Sequence, residues 1–419
     1  MAPSVVLDNG DPARLNARTS VSGFQKYGNP SLKVTADHRI EMEEAPIPEP
    51  GPGEVLIHIK ATGVCGSDIH FWKRGRIGAL TIDGDCILGH EAAGVVLAAH
   101  PTVTTLAPGD AVALEPGVPC GACFLCRAGR YNLCAAVAFA GVYPHPGTIR
   151  RFATHPARWC HKIPGCSPAS SPLSSQSSSS GSASSLSFGE AALLEPLSVV
   201  LHGVRTAPLS LGSPALVCGA GPIGLLALAA ARASGAHPLV VTDLEPRRLE
   251  FARKYVPGCR TYRVDPALGA EGNAQAVRRL FLDGGGGREA AGLSEEEKEY
   301  LAPDTVLECT GVESSVCTAA FAARRGGTVC VIGVGKDVMN NLPFMHMSLA
   351  EINLKFINRY RDTWPAGISA LSGGILDVKP LISHVFPLAQ AKEALELCSD
   401  LSHGSIKVQI VDDVEVPIP

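Results

Sequence analysis

The chain has 419 residues, 46% of them apolar, and its 36 basic and 40 acidic side chains give a formal net charge of −4. This length suits roughly two to three structural units around a large core, and the slightly acidic balance argues against a nucleic-acid-binding protein. With 44 glycines, 32 prolines and 5% aromatic residues, the composition also argues against a helical bundle or a coiled coil.

The sequence lacks the usual signals for export and membrane insertion. No basic stretch followed by an apolar run opens the chain, so we expect no secretory signal. No run of about 18 apolar residues occurs, so we expect no membrane partner. The 14 cysteines are therefore interpreted as thiols or metal ligands in a reducing compartment, and the predicted location is cytoplasmic.

The first part of the chain has the pattern of loops followed by short strands. Residues 1–50 are loop-rich and end in a proline run, and EVLIHIKATGVC from residue 54 alternates apolar and polar residues as a strand does. From 55 to about 160, short β-like runs are broken by glycine and proline. This pattern predicts an irregular, β-rich barrel or sandwich.

Two short motifs in this region carry a mixed set of metal-ligand residues. Cys65 follows the strand in GVCGSDIH, and His90 and Glu91 follow in LGHE. Cysteine, histidine and carboxylate together can hold zinc and leave one position open for water or substrate. A lone cysteine is more often a small buried apolar residue, and a lone His-Glu pair is more often a packing or surface feature. The interpretation therefore depends on their occurrence together with a nucleotide motif downstream.

Four further cysteines form a cluster, with the spacing Cys120-x2-Cys123-x2-Cys126-x7-Cys134. Four thiolates suit a tetrahedral zinc ion that is closed to substrate, which is a structural site. An iron–sulfur cluster is the alternative, but bacterial ferredoxins separate the last two cysteines by about three residues and then have proline. Here the spacing is seven and Ala135 follows, so the pattern favours zinc.

Two stretches interrupt these patterns as inserts. Residues 167–187 are serine-rich and of low complexity, and such a segment cannot bury enough apolar surface to fold. We interpret it as a disordered surface loop, with a phosphorylated regulatory loop as the alternative. Residues 283–303 combine a glycine linker with a short, charged helix, which we expect on the surface.

From residue 214 onward, apolar strands alternate with helices. PALVCGAG, PLVVTD, DTVLECTG and GTVCVIGVG have the pattern of buried strands, and PIGLLALAAARASGA and VESSVCTAAFAARR have that of helices. Such alternation predicts a parallel sheet with helices on both faces, that is, a doubly wound α/β unit.

The turn after the first of these strands fits the pattern G-x-G-x-x-G. Gly219 allows the tight turn, Gly221 lets the backbone approach a pyrophosphate, and Gly224 lets the helix pack on the sheet. The helix that begins with Pro222 and Ile223 offers N–H groups and a positive dipole end to the phosphates. The order of strand, turn and helix predicts a dinucleotide site. A similar fold without a nucleotide is the alternative.

The residue that ends the next strand bears on the choice of nucleotide. Asp243 lies 19 residues after Gly224, where a carboxylate can bind the adenosine ribose and repel a 2′-phosphate, which favours NAD. Arg247 and Arg248 follow and could hold that phosphate, so NADP stays the alternative. We count Asp243 and Arg248 among the candidate cofactor-binding residues.

Taken together, these motifs resemble the zinc-dependent medium-chain dehydrogenases, over residues 53–412 apart from the two inserts. Within that family they resemble the polyol dehydrogenases, which include sorbitol, xylitol and fungal L-arabinitol 4-dehydrogenases, and they look most like the last. The motifs that carry the resemblance are GVCGSDIHFW, LGHEAAG, EPGVPCGACFLCRAGRYNLC, LLEPLSV, VCGAGPIG, ECTGVESS, RYRDTWP and GSIKVQI.

The resemblance implies a fold and an activity. It implies a GroES-like, β-rich catalytic domain over 1–195, to which 358–419 return, and a Rossmann domain over 196–357. The implied reaction is the zinc- and NAD-dependent oxidation of a secondary hydroxyl of a small polyol to a ketose. L-arabinitol is the first choice, and xylitol, D-sorbitol and galactitol are alternatives. Tetramers are usual in the family, so we expect a homotetramer. We also expect two zinc ions per subunit.

The resemblance also implies roles for residues near the open metal site. Cys65, His90 and Glu91 would bind the catalytic zinc. Glu195, in LLEPLSV, would lie by the metal and hold its water, or replace that water as a ligand. Ser67 would bond to the substrate hydroxyl and pass its proton on.

Further roles follow from the same resemblance. His70 would be a later station of the proton on its way to solvent, and Asp68 would orient the imidazole of His90. Arg359 and Tyr360, in RYRDTWP, would lie near the distal hydroxyls of the substrate or near the cofactor.

Three candidate pocket positions depart from the family's pattern. Phe71 stands where animal sorbitol enzymes have Tyr, Leu80 where family members have Phe or Met, and Val142 where a substrate-contacting Thr is usual. We expect such positions to shape the specificity for one polyol over another.

Three other functions compete with this interpretation. A zinc-free quinone or enoyl reductase would lack the set of Cys65, His90 and Glu91, and a non-enzymatic protein would have a broken site. A threonine-type dehydrogenase is nearer, but LLEPLSV and RYRDTWP favour polyols.

Overall fold

The computed structural model describes residues 21–166, 185–282 and 292–418. The predicted serine-rich loop therefore lies largely outside the described residues, as do residues 283–291 of the second insert. The strands in chain order are β1 (Pro30–Val34), β2 (Ile40–Glu44), β3 (Glu54–Gly63), β4 (Arg76–Ile77), β5 (Leu80–Thr81), β6 (Cys86–Ile87), β7 (Glu91–Ala99), β8 (Ala111–Leu114), β9 (Gly117–Val118), β10 (Ala138–Phe139), β11 (Phe152–Pro156), β12 (Cys160–Lys162), β13 (Ala215–Cys218), β14 (Leu239–Asp243), β15 (Arg260–Arg263), β16 (Thr305–Glu308), β17 (Thr328–Val331), β18 (Asn353–Phe356), β19 (Ile382–Pro387) and β20 (Lys407–Val411).

The helices connect and cover these strands. None of the helices in the described ranges is long and apolar enough to cross a membrane. The α-helices are α1 (Gly66–Arg74), α2 (Phe124–Arg127), α3 (Phe188–Ala192), α4 (Leu194–Thr206), α5 (Pro222–Ala233), α6 (Pro246–Tyr255), α7 (Gly269–Leu282), α8 (Glu295–Leu301), α9 (Glu313–Ala322), α10 (Phe344–Leu349), α11 (Trp364–Ser372) and α12 (Ala391–Ser399). Short 3₁₀ helices span Ser22–Tyr27, Tyr131–Leu133, Ala157–Trp159, Pro266–Leu268, Lys379–Leu381, Leu388–Gln390 and Leu401–His403.

A seven-stranded, mostly antiparallel sheet forms the β-rich part of the molecule. Its order is β12-β8-β7-β3-β20-β19, and β11 also pairs with β3. The strand predicted from residue 54 is β3, which is central and almost fully buried. Strand β20 comes from the C-terminal part of the chain and pairs antiparallel with β3, with Gln409 opposite Gly63. The first and last parts of the chain therefore share one sheet.

A six-stranded sheet, parallel throughout, forms the α/β part. Its order is β15-β14-β13-β16-β17-β18. An order that reverses at the first strand is that of doubly wound, dinucleotide-binding folds. Successive residues of β13 pack in two different cores, Ala215 and Val217 in one, and Leu216 and Cys218 in the other. Both faces are therefore covered, and the predicted doubly wound sheet is confirmed.

One apolar core runs from the parallel sheet into the β-rich part. It contains Val217 and Leu225 of the parallel unit, Leu194 of α4 and Ala93 of β7. Helix α4 joins the two sheets, and the boundary predicted between residues 195 and 196 falls inside this helix. Composition does not reveal this arrangement, because a helix that is buried on both sides carries no linker signal.

Helix α8 corresponds to the short, charged helix predicted within residues 283–303. The hydroxyl of Ser294 caps it by accepting a hydrogen bond from the backbone N–H of Glu297 at 3.2 Å. Glu299 forms an ion pair with Arg278 of α7. None of the described residues Glu295–Leu301 is buried, so the helix lies on the surface.

His155 of β11 is a buried histidine whose titration couples to stability. Its Nε2 lies 2.8 Å from the backbone carbonyl oxygen of Glu115, and burial lowers the pKa of His155 to about 4. The pKa is about 6.5 in an unfolded chain. Between these two values the unfolded state binds the additional proton, so the free energy of unfolding decreases as the pH falls.

We predict that His155→Gln, which keeps a donor for the carbonyl, reduces the loss of unfolding free energy between pH 7 and pH 4 by roughly 2–3 kcal/mol. Urea denaturation at a series of pH values measures this loss. His145→Gln, at a partly exposed histidine, is the control and should lose as much unfolding free energy over this pH range as the wild type does. Equal losses in wild type and His155→Gln would contradict the prediction.

Candidate active site and metal centres

Three metal-ligand side chains converge where β3 ends and β7 begins. The ligand atoms of Cys65, His90 and Glu91 all lie within 4.8 Å of one another. The antiparallel pairing of β3 with β7 sets Gly63 opposite Glu91. Residues just after the first strand therefore lie beside those that begin the second, and the structure brings together the three residues that the motifs predicted as one set. We call these three residues the ligand set.

The chemistry of the ligand set fits zinc. Sulfur, imidazole nitrogen and carboxylate oxygen are its usual ligands, and three protein ligands leave a fourth position open. His90 and Glu91 are buried, whereas Cys65 is half-buried. Cys65 is therefore the member of the ligand set with the most solvent exposure.

The carboxylate of Asp68 holds both stretches of chain that carry the ligand set. Its Oδ2 accepts the backbone N–H of Cys65 at 3.0 Å, and its Oδ1 accepts that of Gly89 at 3.1 Å. Oδ1 also lies 3.6 Å from Nδ1 of His90, which is longer than a hydrogen bond. Burial by itself lowers the pKa of His90, but the Asp68 carboxylate and, after it, Cys65 together outweigh burial and raise the pKa. The hydrogen bonds of Asp68 therefore fix the backbone at Cys65 and at Gly89. The predicted role of Asp68 in orienting the ring of His90 stays a prediction.

Ser67 and His70 lie on α1, which begins directly after Cys65. The Oγ atom of Ser67 is 3.2 Å from Nε2 of His90, so this hydroxyl lies beside a candidate metal ligand. His70 follows three positions later, so it neighbours Ser67 on the same face of the helix. It also lines the cleft between the two sheets. Burial, together with the charge of Arg74, lowers the pKa of His70. The structure thus places a hydroxyl and a neutral imidazole in succession along one helix.

Glu195, at the start of α4, is a buried neighbour of the ligand set. Burial raises the pKa of Glu195 to about 7; the positive charge of His90 lowers it and the negative charge of Glu91 raises it. Among the described residues, the close group of potential ligands comprises Cys65, His90 and Glu91 without Glu195. Its predicted role as a holder of water or a replacement ligand stays a prediction.

A buried ion pair between Lys407 and Glu91 was not predicted from the sequence. The Nζ atom of Lys407 lies 2.8 Å from Oε1 and 2.7 Å from Oε2 of Glu91. Burial alone lowers the pKa of Lys407, but Glu91, followed by Cys65, outweighs burial and keeps the pKa above its usual value. The sequence does contain one feature that could have indicated this ion pair: a lysine within the apolar run SIKVQIV, most of which forms β20. A charged residue in a buried strand needs a partner of opposite charge.

Arg359 and Tyr360 lie near the ligand set, in the segment after β18. The guanidinium of Arg359 is 3.9 Å from the ring centre of Phe139, and that ring is 5.5 Å from the ring of His90. Tyr360 is 2% exposed, and burial followed by the charge of Glu195 raises the pKa of its hydroxyl. That hydroxyl interacts with the Glu195 carboxyl, although the contact falls outside ordinary hydrogen-bond geometry. Both residues stay candidates for contacts with a polar ligand.

The predicted pocket positions Phe71, Leu80 and Val142 differ in where they lie. Phe71 is 2% exposed and packs in an apolar core with Leu32 and Leu88, because it is on the buried face of α1. Val142 packs against the same core. Leu80 is 40% exposed, in the hairpin of β4 and β5. The structure therefore places Phe71 in the core rather than at the cleft.

The four clustered cysteines lie in one loop, residues 120–134, which we call the cysteine loop. Their sulfur atoms all lie within 4.8 Å of one another, with 4.0 Å between Cys120 and Cys126 and 3.4 Å between Cys123 and Cys126. Four sulfurs at about 2.3 Å from one tetrahedral zinc would be about 3.8 Å apart. Backbone N–H groups of Ala122 and Cys123 lower the pKa of Cys120 to about 6, which favours the thiolate. The arrangement fits a closed zinc site.

The glycine-rich turn lies between β13 and α5, as predicted. Gly219 has a φ of +97°, which a residue with a side chain seldom adopts. A Cβ atom on Gly224 would lie 1.8 Å from the carbonyl oxygen of Gly219, so only glycine lets the helix begin this close to the strand. A Cβ atom on Gly221 would meet nothing within 4 Å, so this side of the turn is open. Such a turn at a helix N-terminus fits a pyrophosphate.

Asp243 ends β14 beside this turn. Its Oδ2 accepts the backbone N–H of Ala220 at 2.7 Å, and its Oδ1 accepts that of Glu245 at 2.8 Å. Arg248 approaches the same carboxylate, with 3.9 Å between Nη1 and Oδ2. The position suits binding of a ribose hydroxyl, and the carboxylate holds the arginine that could otherwise bind a 2′-phosphate.

A cleft of about 1040 Å³ separates the two sheets. One wall includes His70 of α1 and Arg76 of β4, and the opposite wall includes Thr310 and Lys336 from the loops after β16 and β17. Arg76 forms an ion pair with Asp337 across the cleft at 3.0 Å. In parallel sheets, ligands bind at the carboxyl ends of the strands. The cleft therefore connects the helix of Ser67 and His70 with the nucleotide part of the molecule.

Comparisons with known families match both parts of the chain. Residues 51–165 match the alcohol dehydrogenase GroES-like domain, and residues 222–373 match the zinc-binding dehydrogenase family. The first match covers most of the β-rich part, with the ligand set and the cysteine loop. The second covers most of the parallel sheet, from the nucleotide turn onward.

Individual relatives extend over most of the chain. It is 47% identical to L-arabinitol 4-dehydrogenase of Aspergillus niger over 367 residues, which are 87% of this chain and 87% of that protein. It is 40% identical to sorbitol dehydrogenase of Rattus norvegicus over 373 residues, 88% of this chain and 93% of that protein. A Sinorhizobium meliloti protein assigned as a zinc-binding dehydrogenase, crystallised with NADP, is 25% identical with a TM-score of 0.74, over 92% of this chain and 99% of that one.

We predict that the purified chain holds two zinc ions, one at the ligand set and one in the cysteine loop. Cys120→Ser and His90→Ala should each lower the zinc content by about one equivalent, because a missing ligand weakens a four-coordinate site. Elemental analysis by mass spectrometry measures this content. Cys166→Ser, a half-buried cysteine outside both sites, is the control. Iron in the cysteine loop, with a visible absorption band, would contradict the prediction.

Proposed function

We propose that this chain, which belongs to the zinc-binding dehydrogenase family and is an oxidoreductase, oxidises a secondary hydroxyl of a sugar alcohol to a ketone with NAD as the hydride acceptor. We favour L-arabinitol, oxidised at carbon 4, because the L-arabinitol 4-dehydrogenase is more similar to this chain than the sorbitol dehydrogenase is. Xylitol, D-sorbitol and galactitol are the alternatives. The observation that carries the proposal is the convergence of Cys65, His90 and Glu91.

The ligand set suits the chemistry that this reaction needs. A carbinol carbon gives up hydride readily only when its oxygen has lost its proton; zinc, when bound, supplies the Lewis acid that lowers the pKa of that hydroxyl, and NAD supplies the hydride acceptor. Cys65 and Glu91 bring negative charge to the site, which moderates the acid strength. Lys407 offsets part of that charge through its ion pair with Glu91.

The proton of the substrate hydroxyl has a path along α1. The Ser67 hydroxyl, beside His90, would bond to the substrate oxygen and pass the proton on. His70 is one turn further along and lines the cleft, so its ring is the next group toward solvent. Burial holds the pKa of His70 below its ordinary value, which leaves the ring free to accept a proton at neutral pH.

The other hydroxyls of a polyol need polar partners near the ligand set. The hydroxyl of Tyr360 is buried, and its contact with the Glu195 carboxyl lacks ordinary hydrogen-bond geometry, so its hydrogen bonding is incomplete. A substrate hydroxyl would satisfy it. Arg359, whose guanidinium lies over Phe139, would donate to a second hydroxyl.

We further propose a homotetramer located in the cytoplasm. Strand β18 is an edge of the parallel sheet, and near it Phe344, Leu349 and Phe356 are 71%, 79% and 67% exposed. A second copy of the chain would cover such an apolar edge. None of the 14 cysteines, all of which lie in the described residues, is in a disulfide, which agrees with a reducing compartment.

We predict that the enzyme reduces NAD with L-arabinitol at a higher kcat/KM than with xylitol, D-sorbitol or galactitol. Cys65→Ser or His90→Ala should lower kcat at least about a thousandfold, because each removes a ligand of the Lewis acid. Circular dichroism checks that the fold survives, and His403→Ala at an exposed position is the control. Turnover near the wild-type rate in either variant would contradict the metal assignment. Inactivity of the wild type toward every polyol would contradict the function.

We predict that Asp243→Ser raises the ratio of kcat/KM with NADP to kcat/KM with NAD at least about tenfold. The substitution removes a charge that repels a 2′-phosphate and releases Arg248 to bind it. Asp265→Ser is a matched control, because Asp265 also follows a strand of this sheet and caps a backbone N–H. A ratio unchanged from wild type would count against the ribose role of Asp243.

A further inference from the structure

The segment between β18 and α11 carries Arg359 and Tyr360 in a conformation that needs support. Arg359 and Asp362 have φ angles of +53° and +50°. This is the left-handed region, which residues other than glycine adopt at an energetic cost. With two such residues in one short segment, local preferences do not hold its shape, and contacts from elsewhere must do so.

Three of those contacts come from the 3₁₀ helix Tyr131–Leu133, and a further one comes from Arg205 of α4, whose Nη1 donates to the carbonyl oxygen of Asp362 at 2.5 Å. Nδ2 of Asn132 donates to the carbonyl oxygen of Asn358 at 2.8 Å, and Nδ2 of Asn358 donates to the carbonyl oxygen of Asn132 at 3.3 Å. The backbone N–H of Asp362 donates to the hydroxyl of Tyr131 at 2.8 Å. These bonds hold the backbone before and after Arg359 and Tyr360, the two candidate substrate contacts.

The 3₁₀ helix is itself part of the cysteine loop. It lies between Cys126 and Cys134, and the backbone N–H of Cys134 donates to the carbonyl oxygen of Tyr131 at 3.1 Å. The sulfur atoms of both cysteines belong to the four-cysteine group. A metal ion in that group would therefore fix the chain before and after the 3₁₀ helix.

A buried carboxylate adds a second support. The hydroxyl of Tyr131 donates to Oε1 of Glu115 at 2.8 Å, and Oε2 of Glu115 lies 2.8 Å from Nε2 of His161. The ring of His161 stacks on Trp364, the first residue of α11, with 5.2 Å between ring centres. The same network thus reaches the segment at its far end.

We propose that Tyr131 and Asn132 are positioning residues, through which the cysteine loop holds Arg359 and Tyr360 beside the ligand set. This inference rests on the proposed function, since it takes Arg359 and Tyr360 as contacts of the polyol. The nucleotide turn at 219–224 takes no part in these bonds. Loss of the support therefore weakens substrate positioning and leaves nucleotide binding unchanged.

The first test compares Asn132→Ala with a matched control in the full-length, zinc-loaded enzyme. Asn132→Ala should lower kcat/KM for the polyol about tenfold, while the dissociation constant of NADH, measured by fluorescence, changes less than about twofold and the zinc content stays the same. The control is Asn353→Ala. Asn353 is the first residue of β18, and its side-chain amide also donates to backbone carbonyl groups, those of Gly326 and Gly327. This substitution should change none of these quantities. An equal weakening of NADH binding and polyol turnover would overturn the proposal.

A double-mutant cycle separates positioning from general destabilisation. In the background Arg359→Ala/Tyr360→Phe, the side chains that the support positions are already gone. Adding Asn132→Ala there should lower kcat/KM less than about twofold. If Asn132→Ala acted only by destabilising the fold, it would lower kcat/KM by the same factor in both backgrounds. That result would overturn the proposal.

Hydrogen exchange provides a readout that does not depend on turnover. Backbone amides of residues 357–363 should exchange at least about tenfold faster in Tyr131→Phe, Asn132→Ala and the metal-site variant Cys120→Ser than in wild type. Unchanged exchange in the first two variants would overturn the proposal even if the enzyme oxidises polyols. A wild type that oxidises no polyol would instead overturn the proposed function, and the exchange data would still decide whether the support exists.

Discussion

The buried carboxylate of Asp68 ties together the two stretches of chain on which the ligand set depends. One oxygen accepts the backbone N–H of Cys65 and the other that of Gly89, so neither turn can move away without leaving one buried carboxylate oxygen without its donor. Such a loss typically costs about 1–3 kcal/mol. The geometry of Cys65 and His90 thus depends on a residue whose hydrogen bonds go to the backbone, and the pairing of β3 with β7 adds Glu91 to the same point.

Three acidic side chains, Asp68, Glu91 and Glu195, lie in or beside the ligand set, and their charges must be balanced. Glu91 is paired with Lys407, and removing one partner of a buried ion pair typically costs about 3–5 kcal/mol. Burial raises the pKa of Glu195 to about 7, so near neutral pH this carboxyl can carry a proton and avoid repelling Glu91. Because Lys407 belongs to β20, the C-terminal part of the chain completes a site whose ligands come from the N-terminal part.

The sequence predicts those features that short stretches decide. The spacing in the cysteine loop brings four sulfurs together, and the turn at 219–224 is dictated by the backbone of Gly219 and Gly224, so both could be anticipated without knowledge of the fold. The pair of Lys407 with Glu91 joins residues 316 positions apart, and no local pattern names the partner. Phe71 shows the same limit, because its motif indicated a pocket whereas the packing of α1 places it in the core.

Two sets of contacts near the candidate site differ in strength: the ion pair across the cleft and the hydrogen bonds that hold the segment after β18. Arg76 and Asp337 form an ion pair across it, with 60% and 61% of their side chains exposed, and exposed ion pairs contribute little to stability. The bonds from Tyr131 and Asn132 to the segment after β18 involve partly buried groups and a carboxylate, Glu115, that is 2% exposed. The segment that carries the candidate substrate contacts Arg359 and Tyr360 is therefore held more firmly than the two walls of the cleft are held to each other at Arg76 and Asp337. The cysteine loop, remote in sequence from those contacts, would then have a structural role that is specific to the substrate end of the site.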